Sequence, residues 1–437
     1  MQHATKQIGL VTSTSLVVGN MIGSGLFMLP ATLAIYGGIS LIGWLISGAG
    51  AMCLALVYSW LSKLKPLATG GPYAYTREGM GDFSAFLVAW GYWISIWCTN
   101  AAIALAFVSY LTPFFPVLSK NPFLSVATAL SAIWFLTWIN TKGIKKAGAV
   151  QVITTLLKLA PLLLITIGGL IYLKAEHFVP FNVSLDSNLS AITASTTITL
   201  FAFLGLECAT IPSGSVMNPE KTVSRATIIG TLLTTFIYIA GTVAVMGLIP
   251  PSILQQSDAP FADAAASIWG EGARYLVAGG AVVSTFGALN GWILIQGQLP
   301  FAAARDNLFP KIFKKENKSG TPVVGIVVSS VLVSALMSMS FSKSLANTFT
   351  FALLLSTLTC LVAYLFSVIS FVIMESRVNG MSFKKNGGKM FVALLAFLYS
   401  MWAVIGSGEQ TVYLGFILLM AGLPFYAWIK VRQKQSL

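Results

Sequence analysis

The sequence predicts an all-α membrane protein of twelve transmembrane helices, two of which are broken part-way along. Three observations carry that prediction. Of 437 residues, 56% are hydrophobic and 9% charged, more apolar material than a soluble core can hide. The apolar residues gather in twelve runs near the roughly 20 residues needed to cross a bilayer. The first and sixth runs are each interrupted by glycine at bilayer depth, where bare backbone is tolerated only if protein or a water-filled cavity satisfies it.

The runs cover about 8–34, 40–62, 83–111, 123–140, 148–173, 188–212, 226–249, 273–304, 322–341, 345–374, 390–407 and 411–430. Inside the first lies Leu16–Pro30, LVVGNMIGSGLFMLP, whose middle residues Gly19, Asn20, Gly23, Ser24 and Gly25 weaken a helix. The sixth carries Phe203-Leu204-Gly205-Leu206-Glu207, followed by Pro212 and Gly214. Five helices separate one break from its counterpart, the pattern of an inverted five-helix repeat with a midplane ligand site. On that reading residues 1–180 form the first repeat, 181–378 the second and 379–437 two added helices, all in one domain. Gly70-Gly71-Pro72-Tyr73, Asn218-Pro219-Glu220-Lys221 and Gly320-Thr321-Pro322 read as helix punctuation between runs.

The formal net charge is +13, but the basic residues are scattered through short inter-helix loops, which excludes a nucleic-acid surface. With the N-terminus inside, 21 lysines and arginines fall on the inner side and four (Lys120, Lys174, Arg274 and Lys343) on the outer. The positive-inside rule therefore places both termini in the cytoplasm. The first run is too long for a cleavable signal and carries the glycine motif instead. Cys53, Cys98, Cys208 and Cys360 all sit in apolar runs without metal or disulfide spacing, and His3 and His177 stand alone. No metal site, cofactor or disulfide is expected. No P-loop or nucleophile motif is present, so neither an ATP-driven pump nor an enzyme is indicated.

Two charges lie deep within runs. Lys158 is in the fifth, about ten residues from its cytoplasmic start, or ~15 Å by helical rise, a long reach for snorkelling. Glu207 is the one acid deep in a run. Each costs at least ~2.5–3.5 kcal/mol on insertion scales, so inward-facing, functional positions are expected. Structural readings stand beside these: Lys158 snorkelling to the surface, Glu207 as a buried protonated acid.

The chain resembles the amino acid–polyamine–organocation superfamily of transporters, and within it the basic amino acid/polyamine antiporter branch. The matching strings are GNMIGSGLFMLPA in run one, GGPYAY after run two, FAFLGLE in run six, NPEK after it, GALNGWILIQGQ in run eight, ARDNLFPKIF and GTPVVG before run nine, and WAVIGSG in run eleven. The resemblance implies a LeuT-type fold, alternating access, and a small amino acid or amine as substrate, with the bilayer as surroundings and a homodimer as the assembly. It implies substrate-binding positions at Asn20, Ile22, Gly23, Ser24, Gly25, Asn100, Phe201, Ala202, Phe203, Gly205, Trp292 and Ser356. N–H groups around Gly23–Gly25 would hold a carboxylate, carbonyls around Ala202–Gly205 an α-ammonium, and Trp292 a cationic side chain. Tyr92, Glu207 and Tyr364, with Trp292, match gating positions. Phe201 stands where relatives of this branch carry an outer tryptophan, Ile103 where they carry a methionine, and Ser224 where a proline follows the NPEK turn. Lys158 matches a lysine of proton-coupled superfamily members rather than of this branch. Two functions follow: exchange of a basic amino acid (arginine, ornithine or lysine) for its amine or another amino acid, or proton-coupled symport of broader or neutral specificity through Lys158 with Glu207. A non-transporting membrane sensor would leave the paired breaks unexplained.

Overall fold

A computed structural model describes residues 8–142, 162–211, 213–338, 345–380 and 383–434. Lys158 lies outside the described residues. The described chain is helical, with one isolated parallel bridge between Ile8 and Val216. In hydrocarbon every backbone donor and acceptor must be met within the segment, so uninterrupted apolar runs become helices.

Run one is split into α1 (Leu10–Met21) and α2 (Ser24–Ala34). Next come α3 (Ser40–Leu64), the short loop helix α4 (Pro72–Met80), α5 (Asp82–Leu111) and α6 (Pro122–Thr141). The described part of run five is α7 (Leu162–Ile171). Run six begins as α8 (Asn188–Leu200), and runs seven and eight are α9 (Pro219–Leu248) and α11 (Glu271–Arg305), with α10 (Pro260–Trp269) between them. Then follow α12 (Val323–Ser338), α13 (Leu345–Asn379), α14 (Phe383–Gly406), α15 (Glu409–Met420) and α16 (Leu423–Lys434). Among the described residues, ten helical stretches are long and apolar enough to cross a membrane. The shorter α7 and α12 fall in expected runs five and nine. The protein is thus a multi-pass membrane protein.

Packing separates centre from edge. The most apolar stretch of α5 is 89% buried and that of α15–α16 only 17%. Helix α5 packs chiefly on α13 and α11, and α3 on α9. The last helices instead expose Leu398, Ile405, Tyr413 and Phe416. An outward apolar face of that kind suits lipid.

Both expected breaks are present. Ile22 (ψ 79°) and Gly23 (φ −120°, ψ −123°) leave helical geometry between α1 and α2. In run six, α8 tightens into a 3-10 turn at Phe201–Phe203, Leu204 turns extended, and Gly205 adopts φ +104°. The sixth run does not resume as an α-helix but continues as 3-10 turns at Cys208–Thr210 and Ser213–Ser215. Left-handed Asn218 and Pro219 then start α9.

The two breaks touch. A Cβ on Gly25 would lie 3.1 Å from both Cα and Cβ of Ala202, so only glycine lets the first turn of α2 approach the Phe201–Phe203 turn this closely. Gly205 needs its glycine for a second reason, because φ +104° is a conformation L-residues rarely adopt. Its Cβ would also crowd Asn20 Cβ at 3.3 Å and Trp292 at 3.4 Å. We expect Gly205→Ala to cost about 1–2 kcal/mol from backbone strain alone, seen as a lower Tm in detergent, and to lose most substrate flux. A Tm and flux equal to wild type would show that this backbone turn is not required.

Candidate functional site

The C-terminal carbonyls of α1 are met without further helix. Ile22 N–H donates to Val18 O, Gly23 N–H to Met21 O, and Trp292 Nε1–H to Asn20 O at 3.2 Å. Trp292 is therefore a brace between α11 and the first break. On the other side of the gap, α2 starts at Ser24 with no side-chain cap. The first N–H groups of any helix lack an internal partner and carry the positive end of its dipole. Behind them, Tyr110 Oη–H donates to Phe27 O (2.8 Å) and accepts from Phe261 N–H (3.2 Å), holding α2 against α5 and α10.

Opposite lies the second break. The Ala202 carbonyl accepts from Tyr238 Oη–H at 2.9 Å. The carbonyls of Phe201, Phe203 and Gly205 accept from Leu204, Leu206 and Cys208 N–H at 3.1, 3.2 and 3.0 Å. Each carbonyl keeps a second lone pair, but those expected to receive an ammonium are already engaged in fixing the turn. Phe201 packs edge-on against Phe349, centroids 6.0 Å apart.

Around this seam, among the described residues, three buried polar atoms lack a hydrogen-bond partner: Asn20 Oδ1, Ser24 Oγ and Asn100 Oδ1. Buried polar atoms are nearly always paired in native proteins, so each such exception calls for an explanation. A Cβ on Gly23 would sit 3.3 Å from Ala288 Cβ and 3.8 Å from Ile103 Cδ1, which places α5 and α11 at the first break. Asn20 and Ser24 are 4% and 1% exposed, so the seam is closed to solvent in this conformation.

Glu207 is fully buried just beyond the second break and accepts from two phenols: Tyr92 of α5 on Oε1, and Tyr364 of α13 on Oε2 at 2.9 Å. Both carboxyl oxygens are thus met, as burial demands. Tyr58 extends the cluster, packing on Tyr364 (6.0 Å) and donating to Ser367 at 3.0 Å. Ser356 bonds Thr99 at 2.6 Å and Ser95 O at 3.0 Å, joining α13 to α5 rather than to either break.

Near the loop helix, Arg77 bridges Asp82 (2.9 Å) and Asp306 (3.2 Å), and Lys430 reaches Asp82 at 2.9 Å. Tyr73 donates to Asp306 at 3.1 Å. Burial first, then the Asp306 charge, push the Tyr73 phenol above its ordinary range, so it stays a neutral donor. These part-exposed pairs tie α4 to α5, α11 and α16 with a small energy apiece.

Of the residues singled out in the sequence, the structure gathers Asn20, Gly23, Ser24, Gly25, Ala202, Gly205 and Trp292 at one seam and Tyr92, Glu207 and Tyr364 at a second cluster. Sequence reasoning missed Gln296 and Tyr238. Gln296 was legible as an amide four residues from Trp292 on the same face of an apolar helix. Tyr238 carried no signal separable from ordinary aromatic packing.

Two mutually supporting broken helices with a buried polar seam define a class: membrane carriers whose substrate is held at helix ends. The comparisons agree. The structure resembles that of the Eremococcus coleocola manganese transporter with TM-score 0.60, covering 98% of this chain and 95% of that one. At 13% identity the likeness shows the shared LeuT-type fold alone. In sequence, the chain is 32% identical to a putative arginine/ornithine antiporter of Bacillus subtilis, over 97% of each chain. It is 33% identical to a cadaverine/lysine antiporter of Escherichia coli, over 99% of this chain and 97% of that one. Residues 8–427 match the amino acid permease family, and the chain belongs to it.

Removing either phenol leaves one Glu207 oxygen unmet in a buried site, at a cost of about 1–3 kcal/mol. Tyr92→Phe and Tyr364→Phe are each expected to slow exchange about tenfold in proteoliposomes, with less change in substrate affinity, and to combine non-additively. Unchanged exchange in both variants would remove the cluster from the transport cycle.

Proposed function

We propose that the protein is a secondary antiporter that exchanges a basic amino acid, such as arginine, ornithine or lysine, for its amine or another amino acid by alternating access. The observation that carries this reading is the seam itself. An uncapped helix start at Ser24 faces a braced turn at Phe201–Gly205, with Trp292 against both. The carboxylate of an amino acid fits the open N–H groups of α2. The face of Trp292 suits an ammonium or guanidinium, worth ~0.5–2 kcal/mol. Ile22, Asn100, Phe201, Phe203 and Ser356 complete the proposed site, and Tyr92, Glu207 and Tyr364 its inner gate. The names of the two relatives, an arginine/ornithine and a cadaverine/lysine antiporter, support the substrate class.

Under this reading residues 1–180 and 181–378 are the inverted repeats and 379–437 the added helices. All twelve runs cross the cell (inner) membrane, both termini are cytoplasmic, and the protein assembles as a homodimer. Lys158 supports a second reading, proton-coupled uptake of broader specificity, because an ammonium at that depth is costly unless it is used.

Efflux of preloaded radiolabelled lysine or ornithine from proteoliposomes separates the two. The exchange reading expects efflux to rise at least about tenfold when a basic amino acid or its amine is supplied outside, as for a carrier that returns only when loaded. Efflux that needs no outside substrate, follows a pH gradient and is lost in Lys158→Ala would replace exchange by symport.

A further inference from the structure

Gln296 lies on the α11 face that reaches the first break, since Ala288, Trp292 and Gln296 are spaced by four and Ala288 faces Gly23. It is fully buried, as are Asn100 and Ser330. Its Nε2 donates to Ile326 O at 3.1 Å and to Ser330 Oγ at 2.8 Å. Ser330 spends its own hydrogen on Ile326 O at 3.0 Å, so it accepts from Gln296. The Ile326 carbonyl can only accept, which fixes the polarity of the Gln296 amide. Both Nε2 hydrogens are then used, and Oε1 must face the other way, where it accepts from Asn100 Nδ2 at 2.6 Å. The same logic passes to Asn100. Its NH2 is committed to Gln296, and Oδ1 is left buried and without a partner. Asn100 is one helical turn from Ile103, the α5 residue nearest Gly23. The relay therefore ends beside the seam.

We propose that Gln296 is a positioning residue. It locks Asn100 with its carbonyl oxygen as the unpartnered end, so that this corner of the site offers an acceptor and takes a group that only donates, an ammonium or guanidinium. The assignment rests on the basic-substrate reading above and adds the device that enforces it. An amide free to turn would meet donors and acceptors equally; one pinned through Gln296 by the Ile326 backbone carbonyl does not.

The test is ligand binding by full-length purified protein, with arginine, lysine and agmatine against alanine and leucine, in wild type, Gln296→Met and Gln296→Glu. Gln296→Met keeps the volume but frees the Asn100 amide. It is expected to weaken the cations about tenfold or more, the size of one charge-assisted hydrogen bond, and the neutral ligands little. In Gln296→Glu a protonated carboxyl preserves the relay, its O–H donating to Ile326 O and its C=O accepting from Asn100. The ionised form has no donor for the Ile326 carbonyl, which repels it off the relay and leaves Asn100 unpinned. Binding by this variant should therefore approach wild type at low pH and fall as pH rises, a profile the wild type lacks. An unchanged cation-to-neutral ratio in Gln296→Met, or a wild-type pH profile in Gln296→Glu, overturns the proposal. If Gln296→Met fails to fold, the pH profile of Gln296→Glu decides alone. A wild-type protein that binds only neutral amino acids would instead overturn the substrate reading, and the pH profile measured on those ligands would still judge the positioning role.

Discussion

Backbone polar groups cannot be left bare in hydrocarbon, and the whole arrangement answers that constraint. A helix broken at Ile22–Gly23 exposes carbonyls on one side and N–H groups on the other. The carbonyl side is satisfied within the protein, by local turns and by Trp292. The N–H side, at Ser24, has no side-chain cap. The second break is stitched by Tyr238 and its own 3-10 turns. The asymmetry gives the seam a polarity, with donors uncapped by any side chain on one side and acceptors largely taken on the other.

Two polar clusters flank the seam and differ in kind. At Glu207 a buried carboxyl is met by two phenols from different helices, so any change in how α5 and α13 sit relative to the second break must disturb it. That makes the cluster fit to report, or hold, one conformation. The Asn100–Gln296–Ile326 relay involves no charge and ends on a backbone carbonyl of α12. It sets which end of an amide faces the seam, a matter of recognition rather than movement. Close packing of small residues accompanies both: a Cβ on Gly25 would meet Ala202 at 3.1 Å and one on Gly205 would meet Asn20 Cβ at 3.3 Å, tighter than ordinary contact.

Much of the fold was legible in the sequence because lipid imposes a coarse code. Length and apolarity located the ten stretches that are long enough to cross a membrane among the described residues, and glycine inside an apolar run located both breaks. The 3-10 course of run six after its break was not legible, because helix and 3-10 turns share the same composition and only packing around Gly205 and Cys208 selects between them. Residues in a family motif, such as Asn20, Ser24 and Glu207, could be named beforehand as candidates, and the structure buries all three at or beside the breaks. Gln296 could not be given a role, because its meaning lies in a hydrogen-bond polarity set by Ile326, thirty residues away in sequence. Likewise, carbonyls at Ala202–Gly205 read as free from the sequence, while Tyr238 claims one of them from another helix.

The central claim is that the two breaks together hold an amino acid, carboxylate at α2 and cationic end toward Trp292. An experimental structure of the protein with arginine or lysine bound measures this directly. The account predicts the carboxylate within hydrogen-bond distance of the N–H groups of the Ser24–Leu26 turn, and the side-chain cation over the Trp292 ring. Ligand density elsewhere, or a carboxylate turned away from that turn, would contradict it.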